Sequence, residues 1–145
     1  MSTPLNNDPN ARVLLVDDYE MIRIMLRKGL TELGFKRIEE AKDGAEAIAK
    51  IQEALSKNDP FQMVFCDWNM PNKTGIEVLQ ECRGNASTKQ LPFIMVTAES
   101  EQERVIQALK AGADDYIIKP IAVVTLQKKI AKLLQKISAR VAQAA

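Results

Sequence analysis

Val13-Leu14-Leu15-Val16-Asp17-Asp18 is the stretch that decides the fold. Four apolar residues in a row show no alternation between an inner and an outer face. Such a run suits a strand buried on both sides, as in a parallel sheet covered by helices. Runs over residues 63–66, 93–96 and 116–118 read the same way, with a weaker one over 37–41. Helical patterns fill the gaps. Ile22, Leu26, Leu30 and Leu33 share one stripe, and Gly34 follows as a stop. Ala47, Ile48, Ile51 and Leu55 mark a second helix, and Ile76, Val78 and Leu79 a shorter third. Val105, Ile106 and Leu109 form a fourth, stopped by Gly112; Leu126, Ile130, Leu133, Ile137 and Val141 stripe the longest, fifth one. Strand and helix alternate five times, so the expectation is a (βα)5 α/β fold with a parallel five-stranded sheet. A chain of 145 residues suits a single domain, placed at residues 11–142 after a polar tail over 1–10.

Composition narrows the function. Twenty basic and nineteen acidic residues leave a net charge of +1, without the positive excess of a nucleic-acid binder. The absence of histidine excludes Ser-His-Asp and Cys-His catalysis and any histidine-bearing zinc site. Cys66 and Cys82 lie in apolar-patterned segments and read as free buried thiols. The start lacks the basic and apolar parts of a signal peptide, and no apolar run approaches the ~18 residues of a membrane span. A soluble, cytoplasmic protein with no membrane partner is expected.

The polar residues collect where the strand runs end. The first run ends in Asp17-Asp18, the third in Asp67, the fourth in Thr97 and the fifth in Lys119-Pro120. In a parallel sheet these carboxyl ends share one edge, where open α/β sheets place their sites. Taken singly, Asp18 is as readily a helix N-cap, Thr97 a strand-end cap and Lys119 a solvated loop residue. Together they bring three carboxylates, a hydroxyl and an ammonium to one crevice. Three carboxylates repel one another, and a divalent cation is the usual means of holding them together. All-oxygen ligands in a half-open site suit Mg2+. A carboxylate beside such an ion, flanked by hydroxyl and ammonium, is arranged to accept a phosphoryl group.

Val16-Asp17-Asp18, Asp67-Trp68-Asn69-Met70-Pro71-Asn72, Val96-Thr97-Ala98-Glu99 and Tyr116-Ile117-Ile118-Lys119-Pro120 together resemble the response-regulator receiver family, most closely its CheY-type chemotaxis members. The resemblance implies a doubly wound, flavodoxin-like sheet in the order 2-1-3-4-5. It implies Asp67 as phosphoacceptor and Mg2+ held by Asp18, Asp67 and the backbone carbonyl of Asn69, with Asp17 acting through water. Thr97 would bond the phosphoryl oxygen, Lys119 would pair with it, and Tyr116 would turn with Thr97 as a switch. Lys119-Pro120 would be cis. Asn69 and Glu99 would border the path of water to the acyl phosphate, which implies a short phosphoryl lifetime.

The implied function is a single-domain response regulator, a phosphoacceptor with self-catalysed phosphotransfer and dephosphorylation. A histidine kinase, of the chemotaxis pathway first, would phosphorylate it. Its output would be a flagellar motor switch protein, with a phosphatase as a further candidate partner and a monomer as the expected state. A phosphorelay intermediate, or a receiver binding some other partner, is the alternative. An aspartate phosphatase is disfavoured because Asn69 stands where its general acid belongs, and an FMN carrier because the first strand leads into two carboxylates. A DNA-binding regulator would need an output domain. Two stretches depart from the family pattern: Lys73-Thr74-Gly75, where a hydrophobic-Asp-Gly sequence is frequent, and Ile121, where an aromatic is. From Tyr116 onward the basic residues Lys119, Lys128, Lys129, Lys132, Lys136 and Arg140 face no acidic one in sequence, which reads equally as dipole complements with solvated stems or as a basic docking face for an acidic peptide.

Overall fold

Strand and helix alternate from Arg12 to Ala144, and all the strands pair in parallel. The computed structural model describes residues 10–98 and 102–144. The strands are β1 (Arg12–Val16), β2 (Arg37–Ala41), β3 (Met63–Asp67), β4 (Phe93–Ala98) and β5 (Asp115–Lys119). The helices are α1 (Glu20–Glu32), α2 (Gly44–Ser56), α3 (Gly75–Arg83), α4 (Gln102–Ala111) and α5 (Val123–Ala144). The sheet order is β2-β1-β3-β4-β5, as the resemblance implied. Asn10 lies in a turn, and the rest of the expected tail lies outside the described residues.

The unbroken apolar runs have their physical cause in two cores. On one face Leu15, Phe65 and Ile94 pack beneath Leu26 and Leu30 of α1 and Leu126 and Ile130 of α5. On the other, Leu14, Cys66, Phe93 and Met95 meet Ala47 and Ile51 of α2, Leu79 of α3 and Ala108 of α4. All five residues of β3 are buried. Burying each large side chain contributes about 1.5–3 kcal/mol, and this removes the alternation an exposed face would show. Helices α1 and α5 approach closely because residue 29 is glycine: a Cβ there would overlap the Leu126 side chain.

The fourth helix differs from its expected stripe. Ala108 is its one fully buried side chain among the described residues, while Ile106 and Leu109 are exposed. Cys66 and Cys82 are free and buried. Burial pushes the Cys66 thiol well above its ordinary value and Cys82 up to about 11, so neither is a ready thiolate. No helix among the described residues is long and apolar enough to cross a membrane.

Candidate metal and phosphoacceptor site

Register brings the polar residues together. Val16 stands opposite Cys66, so Asp17 and Asp67 follow one step later on adjacent strands. Asp67 stands opposite Val96, and Lys119 opposite Ala98, two residues further along β4. Side chains alternate with period two, so Asp67 and Lys119 share one face of the sheet. Thr97 lies between those positions and faces the other way, the face shared by Tyr116, which pairs with Met95. The Lys119–Pro120 bond is cis.

One ammonium serves two buried acids. Lys119 Nζ lies 3.2 Å from Asp17 Oδ2 and 3.3 Å from Asp67 Oδ2. Asp17 Oδ1 accepts a 2.8 Å hydrogen bond from the Tyr19 amide. Asp17 Oδ2 is buried and has no hydrogen bond of good geometry, with the ammonium 3.2 Å away. Oxygens of Asp17, Asp18 and Asp67 lie within 4.8 Å of one another; Asp17 and Asp67 are buried and Asp18 is exposed.

Three negative charges against one positive set the electrostatics. Burial, followed by the charge of Asp17, pushes the Asp67 carboxyl up to about 6 despite Lys119. Burial likewise raises Asp17. Burial acts to lower the Lys119 ammonium, but Asp67 and Asp17 outweigh it and the net shift is upward. Three clustered carboxylates served by one ammonium, in a half-open all-oxygen cluster, are what a hard divalent cation satisfies, so the donor set fits Mg2+.

The surrounding chain holds this geometry. Arg23 of α1 is buried; its Nη1 donates to the Asp17 carbonyl at 2.6 Å and its Nε to Glu40 at 2.6 Å. Gly75 donates its amide to the Trp68 carbonyl at 2.9 Å, and a Cβ there would overlap the Asp67 carbonyl oxygen. Thr74 is the N-cap of α3 and exchanges hydrogen bonds with Glu77 in a capping box. The departure at Lys73-Thr74-Gly75 therefore keeps both a cap and the glycine that close approach requires.

Among the expected site residues, Asp17, Asp18, Asp67 and Lys119 converge. Thr97 is buried at the end of the neighbouring strand, and Asn69 is exposed on the loop after β3. Glu99 lies outside the described residues. Tyr116 is half-buried, with Lys129 Nζ 4.1 Å from its ring centroid. The basic stretch of α5 is less bare than it reads: Lys129 pairs with Asp115 at 3.2 Å and Lys136 with Asp114 at 3.8 Å. Arg23 is the residue sequence reasoning missed. Its signal was available, since Arg23, Leu26 and Leu30 follow helical spacing and place a charge on the buried stripe.

The geometry has counterparts among known proteins. The response regulator receiver domain family matches residues 13–131. The chain is 38% identical over 128 residues to the chemotaxis protein CheY-3 of Vibrio cholerae, covering 88% of this chain and 95% of that one. It is 35% identical over 127 residues to the chemotaxis protein CheY of Pseudomonas aeruginosa, covering 88% and 98% of the two chains. The solved structure of CheY4 of Vibrio cholerae superposes with a TM-score of 0.74 at 35% identity, over 85% of this chain and 98% of that one. With the acidic cluster at the carboxyl edge of a 2-1-3-4-5 sheet, these likenesses show that the chain belongs to the response regulator receiver domain family.

Proposed function

We propose that this chain accepts a phosphoryl group on Asp67 from a histidine kinase and signals by phosphorylation-dependent binding to a partner. The observation that carries this reading is a buried carboxylate, 3.3 Å from an ammonium, inside a three-carboxylate cluster at the sheet edge. With its carboxyl held at about 6, Asp67 is mainly ionised at neutral pH and available as a nucleophile. One of its oxygens bonds to phosphorus while the bond from phosphorus to the donor nitrogen breaks, and that electron pair leaves with the donor imidazole. Lys119 pairs with a phosphoryl oxygen, and Thr97, which faces the other side of the sheet, turns toward the site for its hydroxyl to donate to another. Asp18, Asp67 and the Asn69 carbonyl, with Asp17 nearby, would hold Mg2+, which would neutralise the clustered and incoming negative charge.

The pathway we assign is chemotaxis, with the flagellar motor switch as output, because curated relatives spanned almost end to end carry chemotaxis names. Thr97 and Tyr116 form the switch in this reading: they share a face on neighbouring strands, so a threonine drawn toward the phosphoryl group leaves room behind it for the tyrosine. Phosphotransfer from a panel of purified histidine kinases tests the assignment. Transfer from a chemotaxis kinase to the parent and none to Asp67→Asn is expected, followed by binding of a motor switch protein that Thr97→Ala weakens. Preferential transfer to and from a histidine phosphotransfer protein, without motor-switch binding, would replace the chemotaxis assignment by a phosphorelay.

A further inference from the structure

The loop after β3 is tied to α4 by a contact that the acceptor site does not require. Arg104 Nη1 donates to Asn69 Oδ1 at 2.7 Å, across 35 residues of sequence. The same guanidinium lies over the Trp68 ring, 5.3 Å from its centroid. Arginine carries donors only, so the amide atom facing it must be the oxygen. Trp68 is buried and fixed, and the planar guanidinium rests on it, so the donor is positioned before it meets Asn69. Asn69 is exposed and has no comparable support from its own loop among the described residues; Arg104 is half-buried.

We infer that Arg104 is a positioning residue for phosphoryl lifetime: it occupies the Asn69 side-chain oxygen and so withholds that oxygen from the water that hydrolyses the acyl phosphate. The inference rests on Asp67 as phosphoacceptor. Hydrolysis forms a bond from water oxygen to phosphorus and breaks the bond from phosphorus to the Asp67 carboxyl oxygen. The electron pair returns to the Asp67 carboxylate, and the water's proton leaves with inorganic phosphate. Asn69 stands two residues from Asp67, exposed on the loop that leaves the end of β3. Its amide nitrogen can only donate, whereas its oxygen could accept from the attacking water and orient it. Held by Arg104, Asn69 offers only the donor end. The contact also makes lifetime depend on α4, where Ala108 is the one buried residue among those described, since displacement of Arg104 frees the oxygen.

The test loads the full chain with acetyl phosphate and Mg2+, removes the donor by rapid desalting, and follows the remaining acyl phosphate. Arg104→Ala should lose phosphate about fivefold faster than the parent, the equivalent of one hydrogen bond of about 1 kcal/mol. Arg104→Lys, which keeps a donor, should recover part of the lifetime. In an Asn69→Ala background the Arg104→Ala substitution should have no further effect. Acceleration that persists in that background would overturn the inference, as would equal decay of Arg104→Ala and parent. A parent that forms no acyl phosphate on Asp67 would overturn the phosphoacceptor reading and the inference with it.

Discussion

Two clusters of charge sit at the same end of the sheet, and their charges balance differently. At the end of β2, Glu40 accepts from Arg23 at 2.6 Å and Arg27 at 2.7 Å, two guanidiniums for one carboxylate. Burial acts to raise Glu40, but the bonds from Arg23 and Arg27 outweigh it and hold the carboxyl below its ordinary value of 4.5. At the ends of β1 and β3, three carboxylates share one ammonium, and Asp67 is pushed up to about 6. The first cluster is complete within the fold. The second lacks positive charge, and that deficit is what a bound cation would make good before an anionic phosphoryl group could enter. Arg23 belongs to both, since it pairs with Glu40 and holds the Asp17 carbonyl.

Breaking the complete cluster should have the largest effect on stability. Arg23→Ala leaves Glu40 with one partner and the buried Asp17 carbonyl with none from that side, a loss of about 3 kcal/mol in urea denaturation. A loss below about 1 kcal/mol would mean that Arg23 is not a structural member of either cluster. Supplying the missing charge comes next. Mg2+ at a hundred times its Kd should stabilise the parent by about 2.7 kcal/mol in thermal unfolding, and Asp18→Asn much less at the same concentration. Equal stabilisation of both proteins would place the ion elsewhere.

Removing a negative charge should have a smaller effect of opposite sign to Arg23→Ala. The folded-state pKa of Asp67 is raised from 3.8 to about 6, so the unfolded chain gives up this proton first. Between those values stability falls as pH rises, and above about 6 the full penalty is present. Metal-free Asp67→Asn should therefore be more stable than the parent at pH 7, and the gain should vanish below about pH 4. Glu40 has the reverse slope: its lowered pKa contributes stability above 4.5 that is lost as pH falls through its folded value. A parallel pH dependence for Asp67→Asn and Glu40→Gln would erase the contrast between the clusters. The exposed pair of Glu53 in α2 and Lys57 at its C-cap, 2.8 Å apart, gives the smallest effect: Lys57→Gln should leave the urea midpoint unchanged within error.

Much of this was legible in the chain because burial on both faces leaves a mark in single strands. The runs at 13–16 and 63–66 announce a covered parallel sheet, and the carboxylates that follow them announce its functional edge. What stayed out of reach depends on which strands are neighbours. Strand order came from family resemblance, because five buried strands can be arranged in many ways with the same apolar pattern. The Arg23–Glu40 pair needs that order before residues 17 apart can meet, and the Arg104–Asn69 contact needs it across 35. Ile106 and Leu109 read as core because they are apolar at helical spacing, yet α4 turns them outward and buries Ala108. The paired lysines of α5 were hidden because Asp114 and Asp115 lie just before the stretch that looked wholly basic.

The contrast between the clusters rests on Asp67 being the reactive member of the incomplete one. The most direct measurement is the mass of the intact protein after acetyl phosphate and Mg2+, followed by mapping of the modified residue after chemical reduction of the acyl phosphate. The account predicts a single labile phosphoryl group, located on Asp67, absent when Mg2+ is chelated and absent in Asp67→Asn. A phosphoryl group mapped to Asp17 or Asp18, or one retained in Asp67→Asn, would contradict it.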